Sequence, residues 1–376
     1  MSCSPCSGGI DEGEPMAGST IDPELGARNL LLNCVGVEPG DRVLIVAEAP
    51  ELRHYDQQVH VCVARVAREL GAEVSLFAAP LPDKVGDLPD GLAEQMSCAD
   101  HTVFLSRLAD HARFLPMPGK ASKTICYALD EALLGSPYST LPHRLMNALH
   151  QKLEAELDQA HHWRITCPLG TDVEGTFDWK GGEDEDFTFG LFPVTTFKPV
   201  PCSSMRGKIA LAHWLIPGGK AHYTPAFLPI DKPVTAHVES GRLRRIEGDE
   251  ADVAPIQAHC DMVAERFGID RDFVHSWHVG LNPHTFYDGQ ASDDLERWGA
   301  ISFASPRYLH FHTCGDYAPG EIAWSVFDPT VTVDGSEYWK NGEFVWLERP
   351  DNAALIAEYP GAECLYSMRR DIGVDF

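Results

Sequence analysis

The chain has 376 residues, 44% of them hydrophobic and 23% charged, enough for one large core or two moderate ones, and two is the expectation at this length. Its 56 acidic against 30 basic residues give a formal net charge of −26, which argues against nucleic-acid backbones and anionic membranes as partners. No run of about 18 apolar residues occurs, so the sequence predicts no membrane-spanning helix.

The opening stretch, "MSCSPCSGGIDEGEPMAGST", is small, polar and acidic, without the basic and apolar regions of a signal peptide. It reads as a flexible tail over residues 1–22. Cys3 and Cys6 form a CxxC with no second pair, so structural zinc there is the lesser reading. The 11 cysteines are scattered without framework spacing, which fits a reduced, cytoplasmic chain.

Residues 23–160 alternate helix and strand. "ELGARNLLLNCVGV" has helical spacing, and "RVLIVAE" after it is a short continuous apolar run. "DQQVHVCVARVARELG" predicts the next amphipathic helix, stopped by Gly71. "AEVSLFAA", "HTVFLS" and "KTICYAL" are further apolar strands, and "PHRLMNALHQKLEAELDQA" is a closing helix. Such strands separated by helices predict a parallel sheet covered on both faces, an α/β domain. Neither GxGxxG after the first strand nor GxxxxGK[ST] is present, so nothing points to a nucleotide.

From residue 161 to 376 the texture changes to alternating strands and Gly/Pro-rich turns, predicting a mostly antiparallel, β-rich catalytic domain. "VDGSE" and "WKNGEF" are hairpin turns, and "ADVAPIQAHCDMVAERFG" is an interrupting helix. "GGEDEDF" is a charge run expected in a solvated loop rather than at a calcium ion.

Chemistry concentrates in this second half. "VHSWHVGLNPHTFY" carries His275, His278 and His284, and "YLHFHT" carries His310 and His312. Alternation puts His310 and His312 on one face, turns His275 away from the face of His278, and leaves Phe311 opposite. Glu321 follows the "APG" turn at the entry to the next strand. Imidazoles and a carboxylate on one face make a metal site with open positions. We take His278, His312 and Glu321 as the ligands, with His310 as a further ligand or an acid/base. Phe303, Trp277, Trp324, Tyr317 and Phe311 are expected to line an apolar pocket for a flat small molecule. His213, His222 and Tyr223 flank "WLIPGGKAHY" and are candidates for moving protons, against ordinary strand positions. His161 and His162 read as structural. There is no GxSxG elbow, and Cys314 has no evident orienting partner, which weighs against a serine or cysteine nucleophile.

The order of "RITCPLGTDVEGTF" (164–177), "LPIDKPVTAHVESGRLRRIEG" (228–248), "HVGLNP" (278–283) and "DPTVTVDG" followed by "NGEF" resembles the superfamily joining thermophilic-type metallo-aminopeptidases with 2,5-dihydroxypyridine 5,6-dioxygenases. The resemblance implies an N-terminal α/β domain, a β-rich metal-binding C-terminal domain and a homo-oligomer. It also implies either a two-metal peptidase site or one ferrous ion held by a histidine near "GLNP" and a His-x-Asp. This chain has no His-x-Asp before "PTVTVDG"; Glu321-Ile322-Ala323 stands there, and Lys208 occupies a place where a peptidase glutamate is expected. Only His278 carries over from the family. The expected function is a mononuclear iron(II) dioxygenase that opens a hydroxylated aromatic or N-heteroaromatic ring, with a small aromatic molecule and dioxygen as partners. The alternative is a zinc- or manganese-dependent hydrolase, and a metal-stabilised structural domain comes third.

Overall fold

The computed structural model describes residues 21–81, 87–112, 117–179, 189–218, 222–317 and 319–374. The expected tail up to Thr20, with Cys3 and Cys6, and the acidic run at 181–187 lie outside these residues.

The first helix begins at Pro23–Arg28, where the Asp22 carboxylate accepts from the Glu24 backbone N–H at 3.1 Å. It continues with wider turns over Asn29–Val35 and stops at Gly36, whose φ of 81° closes the end. The helix Gln57–Glu69 buries Val59, Val63 and Val66 at helical spacing. The strands Arg42–Glu48, Glu73–Ala79, His101–Leu105 and Ser122–Cys126 form the expected parallel sheet. Its fifth strand, Phe189–Phe192, pairs in parallel with Ser122–Cys126, so the chain returns to this layer after residue 160.

The second sheet is antiparallel, with eleven strands. Its centre runs Arg206–Pro217, Glu321–Phe327, Tyr308–Cys314 and Val274–Val279. The two predicted hairpin turns form: Asp334 and Gly335 take φ of 47° and 82°, Asn341 and Gly342 48° and 78°, the left-handed values that Asp-Gly and Asn-Gly turns accept. Among the described residues no helix is long and apolar enough to cross a membrane.

One apolar cluster joins the layers. Ile45, Val63 and Leu105 from the parallel-sheet side share it with Trp214, Trp298, Tyr308 and Phe327. Below them, Arg307 and Asp328 form a buried bidentate pair, Nε to Oδ1 at 2.6 Å and Nη2 to Oδ2 at 2.7 Å. These two residues flank the start of Tyr308–Cys314 and the end of Glu321–Phe327, so the pair pins the register of the two central strands. Removing one partner strands a buried charge. Asp328→Ala is therefore expected to cost about 3–5 kcal/mol in urea unfolding; a loss within about 0.5 kcal/mol, the usual size for a surface change, contradicts that role.

Candidate metal centre

Register builds the site. His278 on Val274–Val279 stands directly opposite His310 on Tyr308–Cys314, and His312 lies two residues further along the same strand. Directly opposed and alternate residues share a face, so three imidazoles meet on one side of the sheet. Gly280 lets the strand before it pass closely: a Cβ there would stand 2.2 Å from the carbonyl carbon of Ala304.

The three Nε2 atoms converge. His278 lies 2.7 Å from His310 and 3.1 Å from His312, and His310 lies 3.2 Å from His312. A ring nitrogen carries either a proton or a lone pair, never both. Three such atoms in mutual contact therefore always leave at least one pair facing like to like. The outer nitrogens sharpen the conflict. His278 Nδ1 donates to the Phe197 carbonyl at 3.3 Å and His312 Nδ1 to the Asp316 carbonyl at 3.0 Å. In the neutral rings those bonds fix the tautomers and leave two Nε2 lone pairs facing each other at 3.1 Å. A cation shared by the three nitrogens resolves this, and the donor set suits one: all three are imidazoles whose ligand atoms lie within 4.8 Å of one another. Two ligands at right angles about 2.1 Å from an ion are about 3.0 Å apart, against about 3.4 Å for tetrahedral angles. The observed separations fit three neighbouring corners of an octahedron, with the opposite face open.

Glu321 is placed beside this group. Its strand position pairs with Cys314, one step beyond His312 on the same face. The carboxylate approaches the outer edge of His312, Oε1 to Nδ1 at 3.8 Å, and does not join the three converging atoms. Gly218 makes room for it, since a Cβ there would fall 1.8 Å from Oε2. The sequence set His278, His312 and Glu321 together, with His310 as acid/base or ligand; in the fold the converging set is His278, His310 and His312.

The triad closes one end of a cavity of about 100 Å³. Phe303 lies tilted against His310 with centroids 4.6 Å apart, and Ile216, Phe227, Leu295 and Ala300 add apolar wall. Of the five aromatics expected to line it, Phe303 does so. Trp277, Phe311 and Trp324 are paired across neighbouring strands and alternate to the opposite face, into the main core. Tyr317 sits near His312, ring centroids 6.4 Å apart, outside the lining.

The proton-moving candidates stand elsewhere. His213 occupies a break in strand register at φ 66° and packs edge-on against Phe327. Burial lowers its pKa. His222 is half-buried, and neither residue lines the cavity. Tyr223 donates to the backbone carbonyl of Glu321 at 2.9 Å, with burial pushing its hydroxyl pKa well up. It props the strand that carries Glu321. His275 donates to the Cys314 carbonyl at 2.7 Å and His284 to that of Cys364 at 2.8 Å, both away from the triad.

The opposite wall comes from the first half of the chain. His54, Arg107 and Tyr127 follow the carboxyl ends of three parallel strands and reach the cavity. No sequence motif marks them. The signal available was topological: α/β sheets bind ligands outside the carboxyl ends of their strands. Arg107 is held by Glu48, Nε to Oε1 at 2.8 Å, and by Glu296, Nη1 to Oε2 at 2.9 Å, tying the two halves together at the cavity.

No known family model matches the sequence, and no curated protein matches it. Among solved structures, the chain is similar to the 2,5-dihydroxypyridine dioxygenase of Pseudomonas putida KT2440, with a TM-score of 0.55 and 13% identity over 88% of this chain and 98% of that one. It is also similar to AmpT of Thermus thermophilus, with a TM-score of 0.47 and 12% identity over 86% and 98%. The likeness to the dioxygenase structure is one of fold, as the sequence resemblance implied. The class so defined is a parallel α/β layer joined to a large antiparallel sheet, carrying a three-histidine group able to bind a metal.

Alanine at His278, His310 or His312 is expected to lower affinity for a divalent transition metal by more than the about 10–100-fold typical of losing an outer hydrogen-bond partner. Glu321→Gln is expected to stay within about tenfold of the parent. Isothermal titration with metal checks both, and equal losses at Glu321 and at the histidines contradict the placement.

Proposed function

We propose that the chain is a mononuclear non-haem iron(II) dioxygenase that opens a hydroxylated aromatic or N-heteroaromatic ring. The observation carrying this reading is the convergence of three Nε2 atoms at 2.7–3.2 Å, with right-angle spacing and an open face, at the end of an aromatic-walled cavity. The fold shared with a dioxygenase supports it. When bound, a ferrous ion supplies adjacent positions for a ring hydroxyl and dioxygen and lowers the hydroxyl's pKa.

The chain's own residues do the rest. Phe303 and Ile216 offer flat apolar surface to a ring and keep bulk water from it. Glu321, buried in the cavity wall, accepts the hydroxyl proton at a carboxylate oxygen. It takes over the role first assigned to His213, His222 and Tyr223, which stand outside the lining. Tyr223 holds the Glu321 backbone, and the Phe197 and Asp316 carbonyls keep His278 and His312 in the tautomers that direct Nε2 inward.

A second reading, a zinc- or manganese-dependent hydrolase, draws on the position of Glu321 beside the triad, where a carboxylate can act as base toward water. The nitrogen spacing weighs against a tetrahedral zinc site. Anaerobic reconstitution separates them. With ferrous iron, a screen of hydroxypyridines and hydroxybenzoates is expected to give oxygen uptake of one dioxygen per ring opened. His278→Ala abolishes it, and Glu321→Gln lowers it about 10²–10⁴-fold with iron retained, the range for loss of an acid/base group. Amide hydrolysis by the zinc or manganese form without oxygen demand contradicts the dioxygenase.

A further inference from the structure

Across the cavity from the triad stands His54, 4% exposed and lining the same space. Its backbone is fixed on both sides: the N–H donates to Glu48 Oε2 at 3.2 Å, and the carbonyl accepts from the Arg297 guanidinium. Its ring lies tilted against Tyr55, centroids 5.6 Å apart. Among the described residues neither ring nitrogen has a hydrogen-bond partner in the protein, although a buried imidazole normally finds one. His54 is anchored through its main chain, and the ring is left to the cavity.

Its surroundings set what it can bind. Burial, with Arg107 and Arg297 close by, pushes the imidazole pKa down to about 2, so the ring offers one donor and one acceptor without charge. Arg107 is committed to Glu48 and Glu296, and Arg297 to Asp130 at 2.8 Å.

We infer that His54 hydrogen-bonds the substituent that a ligand bound at the triad presents to the N-terminal half, selecting an uncharged hydroxyl, carbonyl or ring N–H over an apolar group of equal bulk. The inference rests on the triad being the reacting end of the cavity. It makes the α/β half a partner in substrate recognition, and it places a specificity-determining residue on a loop after the first parallel strand.

The test uses two probes of nearly equal size, 1,2,4-trihydroxybenzene and 4-methylcatechol, titrated anaerobically by calorimetry into the iron-loaded and the metal-free full-length protein. The wild type is expected to prefer the hydroxyl over the methyl by about tenfold, the worth of one buried hydrogen bond. His54→Phe should bring the ratio near one while affinity for 4-methylcatechol holds, and His54→Asn, which keeps a donor and an acceptor, should restore part of it. A packing role would weaken both probes together and leave the ratio unchanged. A wild-type ratio near one in both protein forms, or a ratio unaltered in folded His54→Phe, overturns the inference. Failure of oxygen uptake with the ratio still dependent on His54 counts against the dioxygenase alone.

Discussion

Three imidazole nitrogens held within 3.2 Å of one another are a contact that protons alone cannot satisfy. The surrounding structure keeps them there. Backbone pairing places His278 opposite His310, Arg307 and Asp328 lock the neighbouring strands, and two carbonyls hold the outer nitrogens of His278 and His312. The cost of the arrangement is borne by a large antiparallel sheet whose ladder leaves the rings little freedom to turn away. That is the character of a group able to take a cation: the three rings are already in place, and an ion bound there would relieve a conflict built into the fold.

Everything else at the site follows from which face of the sheet the rings occupy. The opposite face carries Trp277, Phe311 and Trp324 into the main core, where they anchor the same three strands from below. On the ring face, Phe303 and Ile216 give the cavity its apolar wall, and the parallel sheet closes it with the loops beyond its carboxyl ends. Arg107, bridging Glu48 and Glu296, ties that closure together. The cavity lies where the two layers meet, lined from both.

Much of this was legible in the sequence. Continuous apolar strands between helices gave away the parallel layer, and the Asp-Gly and Asn-Gly turns marked hairpins that form as read. Period-two alternation put His310 and His312 on one face correctly. It could not give the cross-strand register, and register decides that His278 meets His310 while Glu321 falls one step beyond His312. Aromatics counted as pocket lining from proximity in sequence went to the far face for the same reason. His54 carried no local signal at all. Its place at the cavity depends on a loop following a strand end, about 220 residues before the triad, a relation that only the packed fold expresses.

The most direct measurement is anomalous diffraction at the iron absorption edge from crystals grown anaerobically with ferrous iron. A single strong peak is expected about 2.1 Å from Nε2 of His278, His310 and His312 at once, with the Glu321 carboxylate outside bonding distance. Iron bound elsewhere, or held by Glu321 in place of one of the three imidazoles, would contradict it.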